Sequence, residues 1–273
     1  MKLLTLNTHS LEEHDYEKKL NDFVDAVLTE KPDIIALQEV NQSRTENILN
    51  FDELEGMTVV CRDIPIRYDN HALNVVRLLN INGLQYHWAW LPVKVGYGKY
   101  DEGIAVLSKF SIEDTDVLLI SKEDDYDNWR TRKILGIKVR GEWFYSVHMG
   151  WWDDKDDPFI KQWDRIVRYM ESKNNVWLMG DFNSKADVRD EGYDCVTADG
   201  WYDTYNLAED KDLGITVESK IDGWTNKEEM RIDYIFTNAP VRIKQSKTVF
   251  NEKNYPVVSD HYGVMIEVYE NER

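Results

Sequence analysis

The sequence predicts an α/β fold of mixed β-sheets with helices on their outside. Three features of the 273-residue chain support this class. Apolar strand-like runs outnumber helical patterns, the helices interrupt the strands too irregularly for an alternating barrel, and two strands are joined closely enough to form a hairpin. Neither an internal repeat nor a linker divides the chain, so we expect residues 1–273 to form a single domain.

The first part of the chain alternates strands with helices. Residues 2–6 predict a strand, and residues 16–30 repeat apolar side chains at the spacing of an amphipathic helix. The fully apolar run at residues 34–37 is typical of a buried strand. A second amphipathic helix is predicted from Asn70 to just before Gly83.

Strands dominate the remainder of the chain. They are predicted at residues 84–91, 104–107, 117–120, 134–139, 143–147, 175–179, 231–237, 241–249 and 257–269. Arg140-Gly141 supplies a tight turn between the fourth and fifth of these, which therefore form a hairpin. Asp157-Pro158, a capping residue followed by proline, opens a third helix.

The chain is strongly acidic. Its 51 Asp and Glu residues against 33 Lys and Arg residues give a formal net charge of −18. Such a surface repels polyanions at long range, which disfavours an extended electrostatic grip on DNA or RNA. A bound cation with a small basic patch would still allow an enzyme to meet nucleic acid.

The compartment is predicted from the cysteines and from the apolar runs. Cys61 and Cys195 match no metal-binding spacing and are expected to be free thiols in a reducing compartment. The N-terminal run is too short for a signal peptide, and no run is long enough to span a bilayer. We therefore expect a cytoplasmic protein with no membrane span, and nothing in the sequence indicates an obligate protein partner.

Oxygen-bearing side chains follow or interrupt three of the apolar strands. Asn7, Glu39 and Asp260 occupy these positions. Carboxylate and amide oxygens without cysteine suit a hard divalent cation, Mg²⁺ or Mn²⁺. A single acid at a strand end more often caps a turn, so the metal interpretation depends on the three lying together.

A second set of strand ends carries groups suited to proton or phosphate chemistry. His148 and His261 are two of only six histidines, and both stand at strand ends. Asp181 and Asn183 are two residues apart, so an extended backbone places them on one face while Phe182 packs the other way. That pair suits a water nucleophile and a developing oxyanion, although an Asx turn after a strand would give the same pattern.

Six short segments, taken in their order along the chain, resemble the endonuclease/exonuclease/phosphatase superfamily, which shares the deoxyribonuclease-I-like fold. The resemblance implies a four-layer α/β sandwich, in which two packed mixed β-sheets are flanked by helices. The resemblance runs from Asn7 to about Val268. Each segment is weakly specific alone, but six in the right order are strongly so. They are Leu37-Gln38-Glu39-Val40, Glu102-Gly103-Ile104-Ala105-Val106-Leu107-Ser108, Ser146-Val147-His148, Gly180-Asp181-Phe182-Asn183, Arg231-Ile232-Asp233-Tyr234-Ile235-Phe236 and Ser259-Asp260-His261.

The resemblance implies a role for each matched residue of the metal and water sites. Glu39 would be the principal metal ligand, helped by Asn7 and Asp260. Asp181 would orient or deprotonate the attacking water, and Asn183 would hold the phosphate or the nucleophile. The family pattern leaves open whether the general base is Asp181 or the pair of His261 with its supporting acid.

The resemblance also assigns the groups that would contact the phosphoryl oxygens. His148 and His261 would stabilise charge there, with Asp233 supporting His261 and Glu102 supporting His148. Arg132 precedes a predicted strand where nucleases of this fold often place a phosphate-contacting arginine. A solvated basic rim would explain Arg132 equally well.

Two tryptophans follow His148 directly. Trp151 and Trp152 are expected on a loop at the edge of the site, where they would either stack on a base, a sugar or a lipid-like group or pack the loop onto the core. Specificity on such a scaffold depends on loops. The stretches that would set it, residues 41–69 and 186–229, match no pattern that can be interpreted.

The sequence therefore predicts a divalent-metal-dependent phosphoester hydrolase, in which water attacks phosphorus. A small or lipid-like phosphodiester or monoester is the favoured substrate because the surface is acidic. The alternative is a DNA or RNA nuclease of the same superfamily, although Leu6-Asn7-Thr8-His9 departs from the Asn-x-Asn-Gly pattern common among those enzymes. A non-catalytic binding module is least expected, because the set of acids and histidines is intact.

Overall fold

The computed structural model describes residues 1–218 and 228–269; residues 219–227, within the uninterpreted stretch 186–229, lie outside the described residues. The described strands are β1 Lys2–Asn7, β2 Ile34–Ser43, β3 His87–Gly96, β4 Tyr100–Ser108, β5 Asp114–Leu119, β6 Lys133–Val139, β7 Glu142–His148, β8 Val176–Asp181, β9 Tyr202–Asp203, β10 Ala208–Lys211, β11 Asp233–Thr237, β12 Ile243–Val249 and β13 Gly263–Val268. The described α-helices are α1 Tyr16–Glu30, α2 His71–Ile81, α3 Phe159–Met170, α4 Gly192–Ala198 and α5 Thr204–Leu207.

The strands form two mixed sheets. The first has the order β10-β12-β13-β1-β2-β4-β3, and the second has the order β5-β6-β7-β8-β11-β9. In the first sheet β1 runs parallel to β2 and antiparallel to β13. In the second sheet β7 runs parallel to β8 and antiparallel to β6. The parallel pairs need crossover connections, which α1 and α3 provide.

The two sheets pack face to face, and helices cover their outer faces. Ile34 and Val106 of the first sheet meet Trp177 of the second in the apolar layer between them. Helices α1 and α2 bury their apolar faces against the outside of the first sheet. Helices α3 and α4 do the same on the second sheet, with Trp163 completely buried. This arrangement confirms the predicted four-layer α/β sandwich.

Local sequence signals explain where several elements begin and end. Helix α1 has the predicted bounds, because its apolar spacing runs from the first turn to the last. Asn70 caps α2, since its side chain accepts a hydrogen bond of 3.2 Å from the backbone N–H of Leu73. Arg140 and Gly141 both have positive φ, as a two-residue hairpin turn requires. None of the described helices has the length and apolar content needed to cross a membrane.

Other predicted bounds were wrong. The strand expected at residues 84–91 is shifted to His87–Gly96, and residues 257–262 of the last predicted strand form a loop before β13. Helix α3 begins one residue late, with Pro158 at the N-cap position. Asp157 does not cap it, because its carboxylate accepts hydrogen bonds from Lys122 N and Arg165 Nη1 at 2.8 and 2.9 Å.

The topology brings several strand ends to one edge of the sandwich. The carboxyl ends of the parallel pairs β1–β2 and β7–β8 lie there. The start of β11 is at the same edge, since Asp233 pairs with Asp181. Just below this edge Gln38 Nε2 donates to Ser146 Oγ at 2.9 Å, and Ser146 Oγ donates to the Leu37 carbonyl at 2.9 Å. These hydrogen bonds connect the two sheets beneath the strand ends that meet at this edge.

Candidate active site

The converging strand ends surround a cavity of about 900 Å³. Eight of the ten predicted site residues line it, namely Glu39, Glu102, Arg132, His148, Asp181, Asn183, Asp260 and His261. The other two stand behind it: Asn7 donates to both Glu39 and Asp181, and Asp233 accepts from His261. The structure thus brings all ten residues into one place.

Glu39 owes its position to an interruption in strand β2. The β2–β4 register shifts between Leu37 and Val40, and Glu39 has a φ of 51°. Such a bulge changes the direction of one side chain. Glu39 therefore faces the cavity, while Leu37 and Val40 are buried in the core. Asn7 Nδ2 donates to Glu39 Oε1 at 2.9 Å. Burial raises the pKa of Glu39, and the negative charges of Glu102 and Asp260 raise it further.

Asp260 belongs to a second polar group at the same end of the cavity. Its backbone N–H donates to Glu13 Oε1 at 3.1 Å, and His9 Nδ1 bonds to the same oxygen at 2.8 Å. Ligand atoms of His9, Glu13 and Asp260 lie within 4.8 Å of one another. Burial lowers the pKa of His9, but its bond to Glu13 and the charges of Asp260 and Glu39 outweigh burial and raise it to about 9.

Asp181 lies between the two predicted histidines. Its Oδ2 is 3.6 Å from His148 Nε2 and 3.8 Å from His261 Nε2. His261 Nδ1 donates to Asp233 Oδ2 at 3.0 Å, which orients the ring so that Nε2 points toward Asp181. Asp181, Asp233 and His261 are buried, and each offers a ligand atom within 4.8 Å of the others.

The surroundings shift the pKa values of these groups in different directions. Burial lowers the pKa of His261, but the charges of Asp233 and Asp181 outweigh it and raise that pKa well above its usual value. Burial lowers the pKa of His148, and the positive charges of Arg132 and Lys94 lower it further. Burial raises the pKa of Asp181 to about 7, against the opposing charge of His261. Near neutral pH the two histidines beside Asp181 are therefore in different states, His261 charged and His148 neutral.

The Gly180-Asp181-Phe182-Asn183 segment forms a turn and also brings Asp181 and Asn183 to the cavity. Asp181 Oδ1 accepts from the Asn183 backbone N–H at 2.8 Å, which is an Asx turn. Asn183 nevertheless lines the cavity, and its Nδ2 donates to the Met149 carbonyl at 3.0 Å. Phe182 packs in the opposite direction, into the core beneath the second sheet. The turn is therefore what holds the two polar side chains side by side.

The predicted partner of Glu102 was wrong. Its carboxylate pairs with Lys94 Nζ at 3.1 Å, and among the described residues it makes no hydrogen bond to His148. The β3–β4 ladder places Lys94 directly opposite Glu102 on the neighbouring strand. Lys94 is buried at the cavity, and burial lowers its pKa, as does the charge of Arg132. The sequence did not indicate Lys94, because only strand register reveals this pairing.

Arg132 is a buried side chain and not part of a solvated rim. Its Nη1 donates to the carbonyls of Trp129 and Thr131 at 2.8 and 3.2 Å. Its Nε is buried without a hydrogen-bond partner among the described residues. The neighbouring cation Arg130 lies at the surface instead, in an ion pair of 2.8 Å with Asp154. Arg132 therefore brings to the cavity a positive charge with one N–H group that has no hydrogen-bond partner among the described residues.

The two tryptophans that follow His148 have different surroundings. Trp151 lines the cavity, where its ring lies 5.4 Å from that of Trp129. Trp152 packs against Phe159 in the core beneath the second sheet. One residue of the pair is thus at the site and the other holds the loop to the core. Trp129 was not predicted, because a lone aromatic in a polar loop carries no pattern.

The fold and this set of acids and imidazoles define a metal-dependent phosphoester hydrolase, the predicted class. The model of the endonuclease/exonuclease/phosphatase family matches residues 4–261, nearly the whole chain. The chain belongs to that family, which confirms the resemblance found in the sequence. None of the curated proteins matches the chain.

Solved structures agree with this assignment. An endonuclease/exonuclease/phosphatase family protein from Leptotrichia buccalis is 33% identical with a TM-score of 0.86, covering 99% of this chain and 100% of that one. A 3′ phosphatase from Neisseria bound to a product DNA hairpin is 19% identical with a TM-score of 0.64, over 99% and 100% of the two chains. A mannosyl-6-phosphatase from Bacteroides thetaiotaomicron is 17% identical with a TM-score of 0.65, over the same shares. The last two share the fold and do not indicate a substrate.

Proposed function

We propose that this chain hydrolyses a small phosphoester with the help of Mg²⁺ or Mn²⁺, by attack of water on phosphorus. The position of Asp181 carries this proposal. Its Oδ2 lies 3.1 Å from Asn7 Nδ2 on the side of the acidic cluster, and 3.6 and 3.8 Å from the Nε2 atoms of His148 and His261. Asp181 Oδ2 therefore lies between the acidic cluster, which suits a cation, and the two imidazoles.

Asn7, Glu39 and Asp260 would hold the divalent cation. The charge distribution supports this, because the half-buried Glu39 lies close enough to Asp260 and Glu102 for their charges to raise its pKa. A divalent cation relieves that repulsion, and amide and carboxylate oxygens are the ligands that Mg²⁺ and Mn²⁺ prefer. When bound, the cation neutralises charge on the phosphoryl oxygens.

Asp181 accepts the proton of the attacking water. Its pKa of about 7 is close to the value that suits a general base at neutral pH. The alternative base, His261 with Asp233, is disfavoured because the charges of Asp233 and Asp181 keep that ring protonated despite burial. A protonated imidazole cannot accept a proton, but it stabilises the negative charge that develops on the phosphoryl group.

The remaining groups hold the phosphoryl oxygens. His148 stays neutral and offers a ring N–H or lone pair, and Asn183 lines the same wall of the cavity. Arg132 and Lys94 bring two buried positive charges to the cavity. Positioning and electrostatic stabilisation of this kind supply most of the rate in phosphoryl transfer.

A small substrate is favoured over nucleic acid because two cations next to residues that line the cavity are already paired. Lys99 pairs with Glu12 at 2.7 Å, and Arg130 pairs with Asp154 at 2.8 Å. An extended phosphate backbone needs a track of available cations, whereas a single phosphoryl group needs only the buried pair inside. The free thiols Cys61 and Cys195 fit the expected reducing, cytoplasmic compartment.

The experiment that tests this function compares wild-type protein with His261→Ala. Both are assayed with Mg²⁺, Mn²⁺ or EDTA on small phosphomonoesters, small phosphodiesters and duplex DNA. We expect metal-dependent hydrolysis of a small ester that falls about 10²- to 10⁴-fold in the variant. Cleavage of DNA in preference to every small ester would favour the nuclease alternative, and absence of any metal-dependent hydrolysis would reject both.

A further inference from the structure

His9 lies beside the three proposed cation ligands. Its backbone N–H donates to Asn7 Oδ1 at 3.3 Å. A ring nitrogen of His9 and a carboxylate oxygen of Asp260 lie within 4.8 Å of each other. Glu39 lines the same cavity and is close enough for its charge to act on the pKa of His9. His9 therefore lies with Asn7, Glu39 and Asp260 at one end of the cavity.

Glu13 holds the His9 ring by one of its two nitrogens. Its Oε1 bonds to His9 Nδ1 at 2.8 Å and accepts from the backbone N–H of Asp260 at 3.1 Å. Its Oε2 pairs with Lys19 Nζ. Both oxygens of Glu13 are thus engaged within the protein, which makes Glu13 a support and not a ligand. The other nitrogen of the His9 ring, Nε2, makes no hydrogen bond to the described residues.

Tyr97 contacts both His9 and Glu39. Its hydroxyl donates to Glu39 Oε2 at 3.3 Å. Its ring meets the His9 ring edge-on, with centroids 5.7 Å apart and planes at 65°. The His9 side chain is 22% exposed and lines the cavity. The ring is therefore held by Glu13 and Tyr97 next to the carboxylate of Glu39, where an ion in the cavity can reach it.

We propose that His9 Nε2 is a further ligand of the divalent cation, beside the three proposed oxygen ligands, and that the site prefers Mn²⁺ to Mg²⁺; this inference rests on the proposed function. Histidines that bind a metal generally donate their other ring N–H to a carboxylate, as His9 Nδ1 does to Glu13. An imidazole nitrogen suits first-row transition metals, whereas Mg²⁺ favours oxygen ligands. Glu13 acts as the positioning residue of His9.

The proton that His9 carries is compatible with this role. Burial lowers the pKa of His9, but its bond to Glu13 and the charges of Asp260 and Glu39 raise it to about 9. A divalent cation held by the last two carboxylates would cancel the effect of their charge. The cation and the proton then compete for one nitrogen, as they do at other histidine ligands.

The first test is electron spin echo spectroscopy of Mn²⁺ bound to the protein without an affinity tag, since the modulation of the echo reports nitrogen bonded directly to the ion. Wild-type protein, in excess over Mn²⁺, is compared with His9→Asn, which retains an oxygen ligand. The controls are His14→Asn and His261→Ala, because both residues line the same cavity. We expect nitrogen modulation in the wild type and both controls, and its loss in His9→Asn.

Two spectra would overturn the assignment. Bound Mn²⁺ without nitrogen modulation in the wild type would exclude a histidine ligand, whatever the stability of the variants. Modulation that persists in His9→Asn and disappears in His261→Ala would transfer the nitrogen ligand to the other end of the cavity.

The second test measures the affinities of Mn²⁺ and Mg²⁺ by calorimetry. We expect wild-type protein to bind Mn²⁺ at least about tenfold more tightly than Mg²⁺. His9→Asn should weaken Mn²⁺ binding about tenfold and Mg²⁺ binding less than about threefold. Glu13→Gln should weaken Mn²⁺ binding about 10- to 100-fold, because the ring loses its carboxylate support. An equal loss for both ions in His9→Asn would mean that His9 only shapes the site.

These binding measurements need no substrate, so they are distinct from the test of the proposed function. If the protein hydrolyses a phosphoester with metal but shows no nitrogen modulation, only the role of His9 is rejected. If it binds Mn²⁺ through nitrogen but hydrolyses no phosphoester, the proposed function fails and the ligand assignment stands. If it binds neither ion, both are rejected.

Discussion

The backbone conformation of Glu39 and the charges around it both lower the stability of the fold. Its φ of 51° is unfavourable for a residue with a side chain, by roughly 1–2 kcal/mol. It is also half-buried beside the charges of Glu102 and Asp260, which add to the effect of partial burial in raising its pKa. Strain and like charge of this kind persist where function requires them.

The first prediction concerns the substitution Glu39→Gln. Removing the carboxylate should raise the Mg²⁺ concentration for half-maximal activation at least about tenfold, because the principal ligand loses its charge. The metal-free protein should become more stable by about 1 kcal/mol, since repulsion with Glu102 and Asp260 is relieved. Metal titrations of activity and urea unfolding with EDTA measure the two effects.

His261→Ala is the control for that prediction. It should lower turnover at saturating metal while the metal titration midpoint stays within about twofold, because His261 faces Asp181 and Asp233 and not the proposed cation. The opposite pattern, with the midpoint shifted in His261→Ala and unchanged in Glu39→Gln, would show that the ligand assignments are reversed.

The second prediction concerns Lys94, whose carboxylate partner is Glu102 at 3.1 Å. Lys94→Met should weaken inhibition by inorganic phosphate about tenfold, because one of two buried cations is lost. It should also destabilise the protein by about 3 kcal/mol, since Glu102 is left buried without a partner. The double variant Lys94→Met with Glu102→Gln should recover stability but not phosphate affinity. Recovery of both would mean that Lys94 has only a structural role.

The sequence indicated the site residues that end strands, and it missed those that depend on strand register. Asn7 and Asp181 could be found because each follows an apolar run. Lys94 could not, because it lies within a strand and meets its partner across the β3–β4 ladder. The role of Glu102 was misassigned for the same reason. Side-chain partners across strands follow from tertiary pairing, which periodicity alone does not contain.

At the end of strand β8 the backbone approaches strand β7 very closely. Gly180 pairs with Val147, and a Cβ at Gly180 would lie 1.9 Å from the Val147 carbonyl oxygen. It would also lie 3.0 Å from Gln38 Nε2, which ties the two sheets. Only glycine allows Asp181 to follow at the shared edge of the sheets.

The third prediction is that Gly180→Ala lowers both stability and turnover. The clash with backbone should cost about 1–3 kcal/mol and shift Asp181 from the two histidines. Activity should fall by at least about 10²-fold, since small displacements of catalytic groups have large effects. Gly83→Asn is the control, because a side chain there meets nothing within 4 Å and asparagine tolerates its φ of 78°. Wild-type activity in Gly180→Ala would contradict this account of the strand end.

Glu30 is the last residue of α1, and its side chain contacts two strands and a loop. Its carboxylate accepts from Lys2 Nζ at 2.8 Å, Lys247 Nζ at 2.7 Å and the Tyr255 hydroxyl at 3.0 Å. Burial raises its pKa, but these hydrogen bonds outweigh burial and lower the pKa to about 2. Strands β1 and β12 are thereby linked to the end of the helix.

The fourth prediction follows from the lowered pKa. A carboxyl group with a lower pKa in the folded state stabilises the fold above its unfolded pKa of 4.5, and that contribution is lost as the pH falls from 4.5 toward 2. Glu30→Gln should therefore lower the free energy of unfolding by about 1–3 kcal/mol at pH 7 and by less at pH 3. Glu17→Gln, an exposed site on the same helix, is the control. A difference that does not change with pH would rule out the charge as the cause.

Elements with a long repeat were predictable, and short elements fixed by neighbours were not. Helix α1 spans residues 16–30 as expected because its apolar spacing is sustained over 15 residues. Helix α5 has only 4 residues, and its cap is Asp203, which accepts from Tyr205 N at 3.0 Å. Strand β9 has 2 residues and exists because it pairs with β11. Such elements have no period from which to predict them.

At the scale of the whole molecule, the mixed sheets with outer helices could be predicted because their strands are apolar runs, whereas the packing of two sheets followed from the family resemblance. Residues 34–37 and 176–179 are apolar and buried, as required of strands covered on one face by a sheet and on the other by helices. Both sheets contribute to one inner layer, which supports our proposal that the chain is a single domain. The order of strands within the sheets was beyond reach, because similar runs can pair in many orders.

The net charge of −18 determines how the whole molecule meets a polyanion. At 0.15 M salt the screening length is about 8 Å, so repulsion between the surface and a DNA duplex acts mainly at close approach. Two cations next to the cavity lining are paired, Lys99 with Glu12 and Arg130 with Asp154. A single phosphoryl group reaches the buried cations without crossing much of this surface, whereas a duplex would lie along it.

The fifth prediction is a salt dependence that separates a small-ester hydrolase from a nuclease. Between 50 and 500 mM salt, kcat/KM for the small ester should change by less than about threefold, because one phosphoryl group is held inside the cavity. Binding of a 30-base-pair duplex to His261→Ala, followed by fluorescence anisotropy with Mg²⁺, should be weak, with a slope of log affinity against log salt of about −2 or shallower. A nuclease contacting 6–10 phosphates would show a slope of roughly −5 to −9. A slope in that range would mean that a cationic track forms on DNA despite the paired surface charges, and the preference for a small substrate would then be wrong.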